Sequence, residues 1–219
     1  MPAYTITEMD AELRQSEIIT NLVQFTYEPV STDAFENRHL YAIVLTQDCD
    51  LLWDYRSRQN GTRRDLNGVL LYELEPTPDI RVKLAGGDIL KGIRRHADPR
   101  YHLLEAVPPD LDCLAHGLPE LIIDFKRCYT MPADEIYRQC GLQDGAKRRC
   151  RLDTLYREHL QTRAAFYLQR VALPEDRDNQ VAAVPALSAP AGAAEPAPAA
   201  AANPAAAPVA VAGPAGDGN

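Results

Sequence analysis

The chain has 219 residues, 46% of them hydrophobic, and a formal net charge of −8. This acidic balance argues against a strongly basic nucleic-acid-binding protein. The basic residues are 19 arginines and 4 lysines. The planar fork of arginine suits phosphate and carboxylate partners, but the same excess of arginine and alanine also follows from a GC-rich coding sequence.

The five cysteines are an odd number without paired spacing, and residues 1–13 are too polar for a signal peptide. No apolar run reaches the roughly 20 residues that a membrane span needs. These features predict a reduced, cytoplasmic protein with free thiols and no membrane partner.

The first half of the chain predicts mainly strands. Residues 18–25 alternate weakly and predict a strand, and residues 31–38 predict a polar loop. The run "HLYAIVLT", residues 39–46, is apolar throughout, as expected of a strand that is buried on both faces. Residues 55–68 contain two Asn-Gly pairs and predict an exposed basic loop. Residues 69–75 and 80–84 flank two prolines and predict a hairpin.

Further strands are predicted at residues 101–107 and 121–125, after which the hydrophobic period becomes helical. Residues 132–140 predict a short helix that ends at Gly141, and residues 152–171 predict a long amphipathic helix that Pro174 ends. The predicted class is α+β, a small, mostly antiparallel β-barrel with helices at its C-terminal side. Residues 1–175 form the predicted domain, and residues 176–219, rich in Ala and Pro, a disordered tail.

A polar stretch, "TQDCD", follows the strongest predicted strand at residues 46–50. If the strand continued, Thr46, Asp48 and Asp50 would share one side, and Gln47 and Cys49 the other. Such groups could orient a nucleophile or accept a proton. Alternatively, the two aspartates cap a turn and Cys49 is a small buried hydrophobe.

Metal sites are not predicted. The acids of this stretch would need further carboxylates to hold a divalent ion, and the candidates Asp65 and Asp124 are not placed by the sequence. Cys113 and His116 lack the second closely spaced pair of a structural zinc site. No cofactor is therefore predicted.

Three basic clusters could form a groove for single-stranded RNA, with Trp53, Tyr55 and Tyr101 as stacking surfaces. The alternative is a set of solvated loops. The clusters are Arg56, Arg58, Arg63 and Arg64; Arg94, Arg95 and His96; and Lys147, Arg148, Arg149 and Arg151.

Three segments together resemble the MazF/PemK family of toxin endoribonucleases, which fold as SH3-like barrels. The segments are "QSEII", Arg38 with "AIVLT", and "DFKRCYTMPADEIYRQCG", so the resemblance covers residues 15–141. Ser16 and Glu17 stand where the family has Gly-Asp, and His39 stands where it has proline. The long helix that begins at about residue 152 is an addition to the family pattern.

The resemblance implies metal-independent cleavage of single-stranded RNA in a bacterial toxin or defence system, with the 2′-hydroxyl as nucleophile. Arg38 would stabilise the phosphorane-like charge and Thr46 would lie beside the phosphate. Beyond what the resemblance implies, this hypothesis adds that Asp48 or Asp50 would assist proton transfer, and that Gln47 and Cys49 would shape the pocket. The RNA would be held by Arg56, Arg58, Arg63 and Arg64. An antitoxin partner and a homodimer are both compatible with this hypothesis.

A second hypothesis is a non-catalytic interaction module. In that case residues 46–50 form a structural corner, the C-terminal helix docks a partner, and the Ala/Pro-rich tail is a spacer.

Overall fold

Three strands come first and helices follow among the later strands in the computed structural model, which describes residues 3–9, 11–27, 34–62, 66–83 and 87–169. These residues belong to one compact unit. The strands are β1 (Tyr4–Thr5), β2 (Glu17–Tyr27), β3 (Ala34–Val44), β4 (Val69–Pro76), β5 (Tyr101–Leu104), β6 (Leu121–Met131) and β7 (Lys147–Leu152). The α-helices are α1 (Asp48–Gln59), α2 (Thr77–Lys83), α3 (Gly87–Arg94), α4 (Ala133–Cys140) and α5 (Thr154–Leu168).

All seven strands form one antiparallel sheet in the order β1-β7-β2-β3-β4-β6-β5. Its longest ladder joins β2 to β3, from Ile18 opposite Ile43 to Tyr27 opposite Ala34. Among the described residues no pairing joins β1 to β5, so the sheet is open where the sequence predicted a barrel. The mixed α+β class and the antiparallel sheet are confirmed.

The two faces of the sheet carry separate apolar clusters because neighbouring residues of a strand point to opposite sides. Ile18 and Ile43 belong to one cluster, which also contains Leu160 and Ala164 of α5. Ile19 and Val44 belong to the other cluster, which contains Leu51 of α1 and Ile136 of α4. Ala42, Ile43 and Val44 of β3 are therefore buried on both faces, as predicted, whereas Leu40 of the same run is exposed.

A third cluster lies at the β5 side of the sheet, where Ile80 of α2 and Ile93 of α3 pack with Tyr101 and Ile122. The sequence predicted a strand at residues 80–84, and this prediction was wrong for residues 80–83. Pro78 lies in the first turn of α2, where its missing N–H is not needed, and Asp79 complements the helix dipole there. The prolines mark a helix start.

Helix α1 corrects the prediction of a loop at residues 55–68. It continues to Gln59, with acidic residues in its first turn and Arg56 and Arg58 in its last, as the helix dipole favours. The Asn60-Gly61 signal is a true turn, with φ +64° at Gly61, but it ends a helix. The predicted loop at residues 31–38 is also wrong from Ala34 onward, because β3 begins there.

Strand β7 was not predicted, because its sequence KRRCRL reads as a solvated basic run. Arg148 and Arg149 are nevertheless buried. The predicted helices at residues 132–140 and 152–171 are confirmed as α4 and α5, and the other predicted strands are confirmed with shifted ends. The Ala/Pro-rich tail lies outside the described residues. None of the helices described is long and apolar enough to cross a membrane.

Candidate functional site

The polar stretch at residues 46–50, here called the corner, joins β3 to α1. Strand β3 ends at Val44, and Gln47 is the N-cap of α1 with φ −67° and ψ 146°. Asp48, Cys49 and Asp50 therefore form the first turn of a helix. Strand alternation does not divide these side chains into two sets.

Thr46 and Asp48 hold the corner to neighbouring elements. The Thr46 Oγ1 accepts a hydrogen bond from the backbone N–H of Leu70 at 2.8 Å. The Asp48 Oδ1 accepts one from the Gln15 N–H at 2.7 Å, and its Oδ2 accepts one from the Arg157 Nη1 at 2.6 Å. Asp48 thus ties the segment before β2 and helix α5 to the start of α1.

Gln47, Cys49 and Asp50 are exposed to solvent. The Cys49 Sγ lies 3.6 Å from the Gln47 Oε1 and 3.6 Å from the Asp50 Oδ1. The interpretation of Cys49 as a buried hydrophobe was wrong, since the helix turn directs this residue outward. No side-chain cap hydrogen bond is present at the start of α1, so Asp48 is an acceptor for Gln15 and Arg157 and not the turn cap that was predicted. The catalytic roles of all five corner residues remain predictions.

Arg38 is exposed on β3 and forms an ion pair with Glu36 at 2.9 Å. Six residue steps separate it from Val44, the last residue of the strand, which corresponds to roughly 20 Å. The structure therefore does not bring Arg38 to Thr46 and Asp48. Its proposed contact with a phosphate at the corner is not supported by this placement.

The predicted RNA-binding arginines are partly engaged within the protein. Arg58 contacts the carboxylates of Asp54 and Asp134. Arg56 is exposed in the last turn of α1. Arg63 and Arg64 lie outside the described residues. The structure thus places Arg56 and Arg58 on a helix rather than on the exposed basic loop that was predicted.

The third basic cluster contributes two arginines to the interior. Arg148, which is 2% exposed, forms an ion pair with Glu17 and donates hydrogen bonds to the backbone oxygens of three residues. Arg149 pairs with Asp112 through two bonds of 2.8 and 2.6 Å. The hydrogen-bonding groups of both arginines are therefore engaged within the fold.

Helix α5 buries only part of the apolar stripe that predicted it. Leu160 and Ala164 are buried, whereas four large apolar side chains remain exposed, here called the α5 surface: Leu155, Tyr156, Phe166 and Leu168. A groove of about 300 Å³ lies beside Phe166, Thr162 and Pro99. Another, of about 420 Å³, lies between Leu168 and the corner residue Gln47.

Three histidines that are distant in sequence meet between β5 and α5, and they are here called the histidine cluster. The ring centroids of His96 and His102 are 5.1 Å apart, those of His96 and His159 5.1 Å, and those of His102 and His159 5.3 Å. His96 follows α3 with φ 53°, His102 lies on β5, and His159 lies on α5. The cluster was missed because no spacing in the sequence connects residues 96, 102 and 159.

Burial favours the neutral form of two of the three histidines, His96 and His102. It lowers the pKa of His102 to about 3, aided by the neighbouring histidines and Arg163. The pKa of His96 is also lowered, again by burial first and by Arg163 second. The Nδ1 atoms of His96 and His102 are buried and find no hydrogen-bond partner among the described residues. The cluster therefore holds a buried imidazole, His102, and a half-buried one, His96, each with a buried Nδ1 that has no hydrogen-bond partner among the described residues.

Arg163 fixes the segment that carries His96. Its Nη1 donates to the His96 carbonyl at 2.8 Å, and its Nη2 donates to the carbonyls of Asp98 and Tyr101 at 2.6 and 2.8 Å. This clamp joins α5 to the segment between α3 and β5. In the part of the chain that is described, no group of three or more His, Cys, Asp or Glu side chains could hold a metal ion.

Comparisons with known proteins leave the family open. No family model matches the chain, and no curated protein and no solved structure matches it either. The functional argument therefore depends on the geometry of this chain.

Proposed function

We propose that this protein is an interaction module whose helix α5 binds an apolar surface of a partner protein. The observation that carries the proposal is the α5 surface. Phe166 and Leu168 are each 61% exposed, although the helix buries Leu160 and Ala164 in the core. A helix that serves only to cover a sheet places its large apolar side chains inward and polar ones outward.

The grooves beside α5 suit such a partner. Phe166 lines one and Leu168 the other, so apolar side chains of a partner could pack on both sides of the same helical segment. Burying apolar surface contributes about 25 cal/mol per Å². Aromatic residues in particular concentrate binding energy at the centre of interfaces.

The corner has a structural task in this proposal. Through the Arg157–Asp48 ion pair at 2.6 Å it ties α5 to α1. The hydrogen bond from the Gln15 N–H to Asp48 also holds Gln15 in place, and Gln15 lines the groove beside Leu168. The polar groups that suggested catalysis thus position the helix that carries the apolar surface.

The endoribonuclease hypothesis stays a prediction, although the sheet of the described residues is open and is not the SH3-like barrel with which the activity was predicted. We place it second because Arg38 lies far along β3 from the corner, and because Thr46 and Asp48 are engaged in bonds to the protein. Cleavage of single-stranded RNA in EDTA that Arg38→Ala abolishes would restore it to first place.

Site-specific photocrosslinking tests the interaction module. The photoreactive analogue p-benzoylphenylalanine replaces Phe166, and in a matched control it replaces Val82 of α2, which is 85% exposed. After irradiation of the cells that produce the protein, position 166 should give one discrete crosslinked protein and position 82 should not. Both variants must retain the melting temperature of the unmodified protein.

The identity of the adduct separates the outcomes. A heterologous protein crosslinked at position 166 supports the proposal, and its abundance should fall with Leu168→Glu, which places charge in the groove on the other side of α5. A chain of the protein's own mass would instead show that α5 pairs with a second copy. Absence of any adduct, or equal adducts at positions 166 and 82, would overturn the proposal.

A further inference from the structure

We propose that one edge of β3 pairs with the same edge of a second copy of this chain. Residues 34–40 of β3 have β2 on one side, because the β2–β3 ladder runs to Tyr27 opposite Ala34. On the other side, the ladder with β4 ends where Tyr41 lies opposite Leu74. Among the described residues no strand covers residues 34–40 on that side, which is here called the free edge. This inference is independent of the α5 surface.

The backbone hydrogen-bonding groups of Glu36 and Arg38 point toward the free edge. In an antiparallel ladder, pairs of opposite residues that exchange hydrogen bonds alternate with pairs whose groups point outward. Arg38 lies opposite Val23, and the Val23 N–H and C=O bond the side-chain amide of Gln139 at 2.9 and 2.7 Å. This pair is therefore of the outward kind, and so is the pair of Glu36 with Phe25 two steps along. The free edge thus presents donors and acceptors at alternate residues, which is what an added strand binds.

The charged side chains of the free edge are complementary to a second copy of the same edge. If two copies pair antiparallel about a two-fold axis at Asn37, each Glu36 lies opposite the partner's Arg38. Opposite charges on directly opposite residues stabilise a strand pair, and like charges destabilise it. In one chain the two exposed side chains form an ion pair of 2.9 Å, so pairing between copies exchanges their partners and leaves each charge neutralised. This register also sets outward residues opposite outward residues, as the backbone hydrogen bonds require.

The same register gives the exposed Phe35 an aromatic neighbour. Phe35 is 53% exposed. It would lie opposite the partner's His39, which is buried and stacks on Tyr129 with ring centroids 3.9 Å apart. Aromatic residues that lie directly opposite each other stabilise antiparallel strands. Pairing about Asn37 therefore brings an exposed aromatic side chain beside a stacked aromatic pair.

Space for the added strand is present beside β3. A groove of about 290 Å³ is lined by Arg38 and Leu40 of β3 and by Pro76 at the end of β4. The outer edge of β2 is less available, because the Gln139 amide already bonds the Val23 backbone there. We therefore expect the second copy on β3 and not on β2.

Sedimentation equilibrium of the full chain tests the charge pairing. The wild type should show a concentration-dependent equilibrium between monomer and dimer. Arg38→Glu leaves only carboxylates at positions 36 and 38 of both copies, and it should raise the dissociation constant at least about tenfold, because each substitution acts twice in a two-fold interface. Glu36→Arg should weaken the dimer in the same direction. The double variant Glu36→Arg with Arg38→Glu restores opposite charges in the same register and should recover the wild-type dissociation constant.

The matched control for charge is Arg56→Glu, which replaces an exposed arginine of α1 and should dimerise as the wild type does. All of these side chains are exposed, so the variants should keep the melting temperature of the wild type. A dimer that Leu168→Glu dissociates and Arg38→Glu does not would assign self-association to α5 and overturn the proposal.

Disulfide trapping tests the register. Opposite Cα atoms of a pair that exchanges no hydrogen bonds are about 4.5 Å apart, which a disulfide can bridge. In a background of Cys49→Ser with Cys128→Ser, which removes both exposed thiols, Asn37→Cys should form a disulfide-linked dimer on mild oxidation. Thr26→Cys, at an exposed position of β2, is the matched control and should remain a monomer.

Three results would contradict pairing through the free edge. The first is a wild-type chain that stays monomeric at every concentration. The second is a double charge variant that dimerises as weakly as Arg38→Glu. The third is a disulfide-linked dimer of Thr26→Cys as abundant as that of Asn37→Cys, which would place the contact on β2.

Discussion

Asp48 and Asp50 lie two residues apart in the first turn of α1, yet their surroundings differ. Asp48 accepts hydrogen bonds from Gln15 and Arg157, whereas Asp50 is exposed and its Oδ1 lies 3.6 Å from the Cys49 Sγ. Both carboxylates face the positive end of the helix dipole. A comparison of the two aspartates therefore separates the effect of the hydrogen bonds of Asp48 from the general effect of a negative charge at the start of a helix.

We expect Asp48→Ala to lower the free energy of unfolding by about 1–3 kcal/mol, because it leaves a backbone donor and the Arg157 guanidinium without this acceptor. Asp50→Ala is the matched control and should cost less than about 1 kcal/mol, the range of the dipole effect alone. Urea unfolding followed by circular dichroism measures both. Equal losses in the two variants would show that the bonds of Asp48 contribute nothing beyond the dipole.

The residues of the corner could be found from sequence, but their environments could not. The abrupt change from apolar to polar at Thr46 correctly marks the end of a buried strand. The partners Gln15, Leu70 and Arg157 are distant in the chain, and only the tertiary structure brings them to Thr46 and Asp48. The histidine cluster shows the same limit, because its three members come from separate elements.

At the scale of elements, the spacing of apolar residues along the sequence predicted most strands and both C-terminal helices. It failed to predict a strand where polar residues are buried. Strand β7 carries Arg148 and Arg149, which are buried through ion pairs to Glu17 and Asp112. A buried charge with its partner leaves no apolar signal in the sequence. The Asn-Gly turn signal marks the end of α1. The proline signal marks the start of α2.

The packing of α5 against β5 should depend on pH through the histidine cluster. His102 has a folded-state pKa of about 3, below the value near 6.5 expected in the unfolded chain. The unfolded state therefore binds the proton more readily. The stability that neutral His102 provides is complete above pH 6.5 and is lost as the pH falls below that value.

We expect the free energy of unfolding to fall by about 2 kcal/mol between pH 7.5 and pH 5 because of the protonation of His102 alone. The lowered pKa of His96 adds to this loss in the same direction. His102→Phe should flatten the slope, and exposed His116→Ala should preserve it. Urea unfolding at each pH measures the slope. A wild-type slope that His102→Phe leaves unchanged would assign the pH dependence to other groups.

At the scale of the whole molecule, the described residues contain an open sheet with apolar clusters on both faces. The change in amino-acid composition predicted where the domain that contains this sheet ends. Residues 181–219 are nearly all Ala, Pro, Gly and Val and contain no aromatic residue. Such a segment offers little apolar surface to offset the entropy of ordering. The closure of the sheet was not predictable, because it depends on which edge strands pair.

Truncation after residue 175 tests whether the body is independent of the tail. We expect the melting temperature of the truncated chain to lie within about 2 °C of that of the full chain, since a stability change of about 1 kcal/mol shifts the melting temperature of a domain this size by roughly 2–4 °C. Scanning calorimetry of both chains measures the difference. A loss of more than about 5 °C would mean that residues 176–219 pack against the body and stabilise it by more than about 1 kcal/mol. Because the α5 surface lies immediately before the truncated segment, the crosslink at position 166 should be repeated in the shorter chain. Its persistence there would assign partner binding to α5 rather than to the tail.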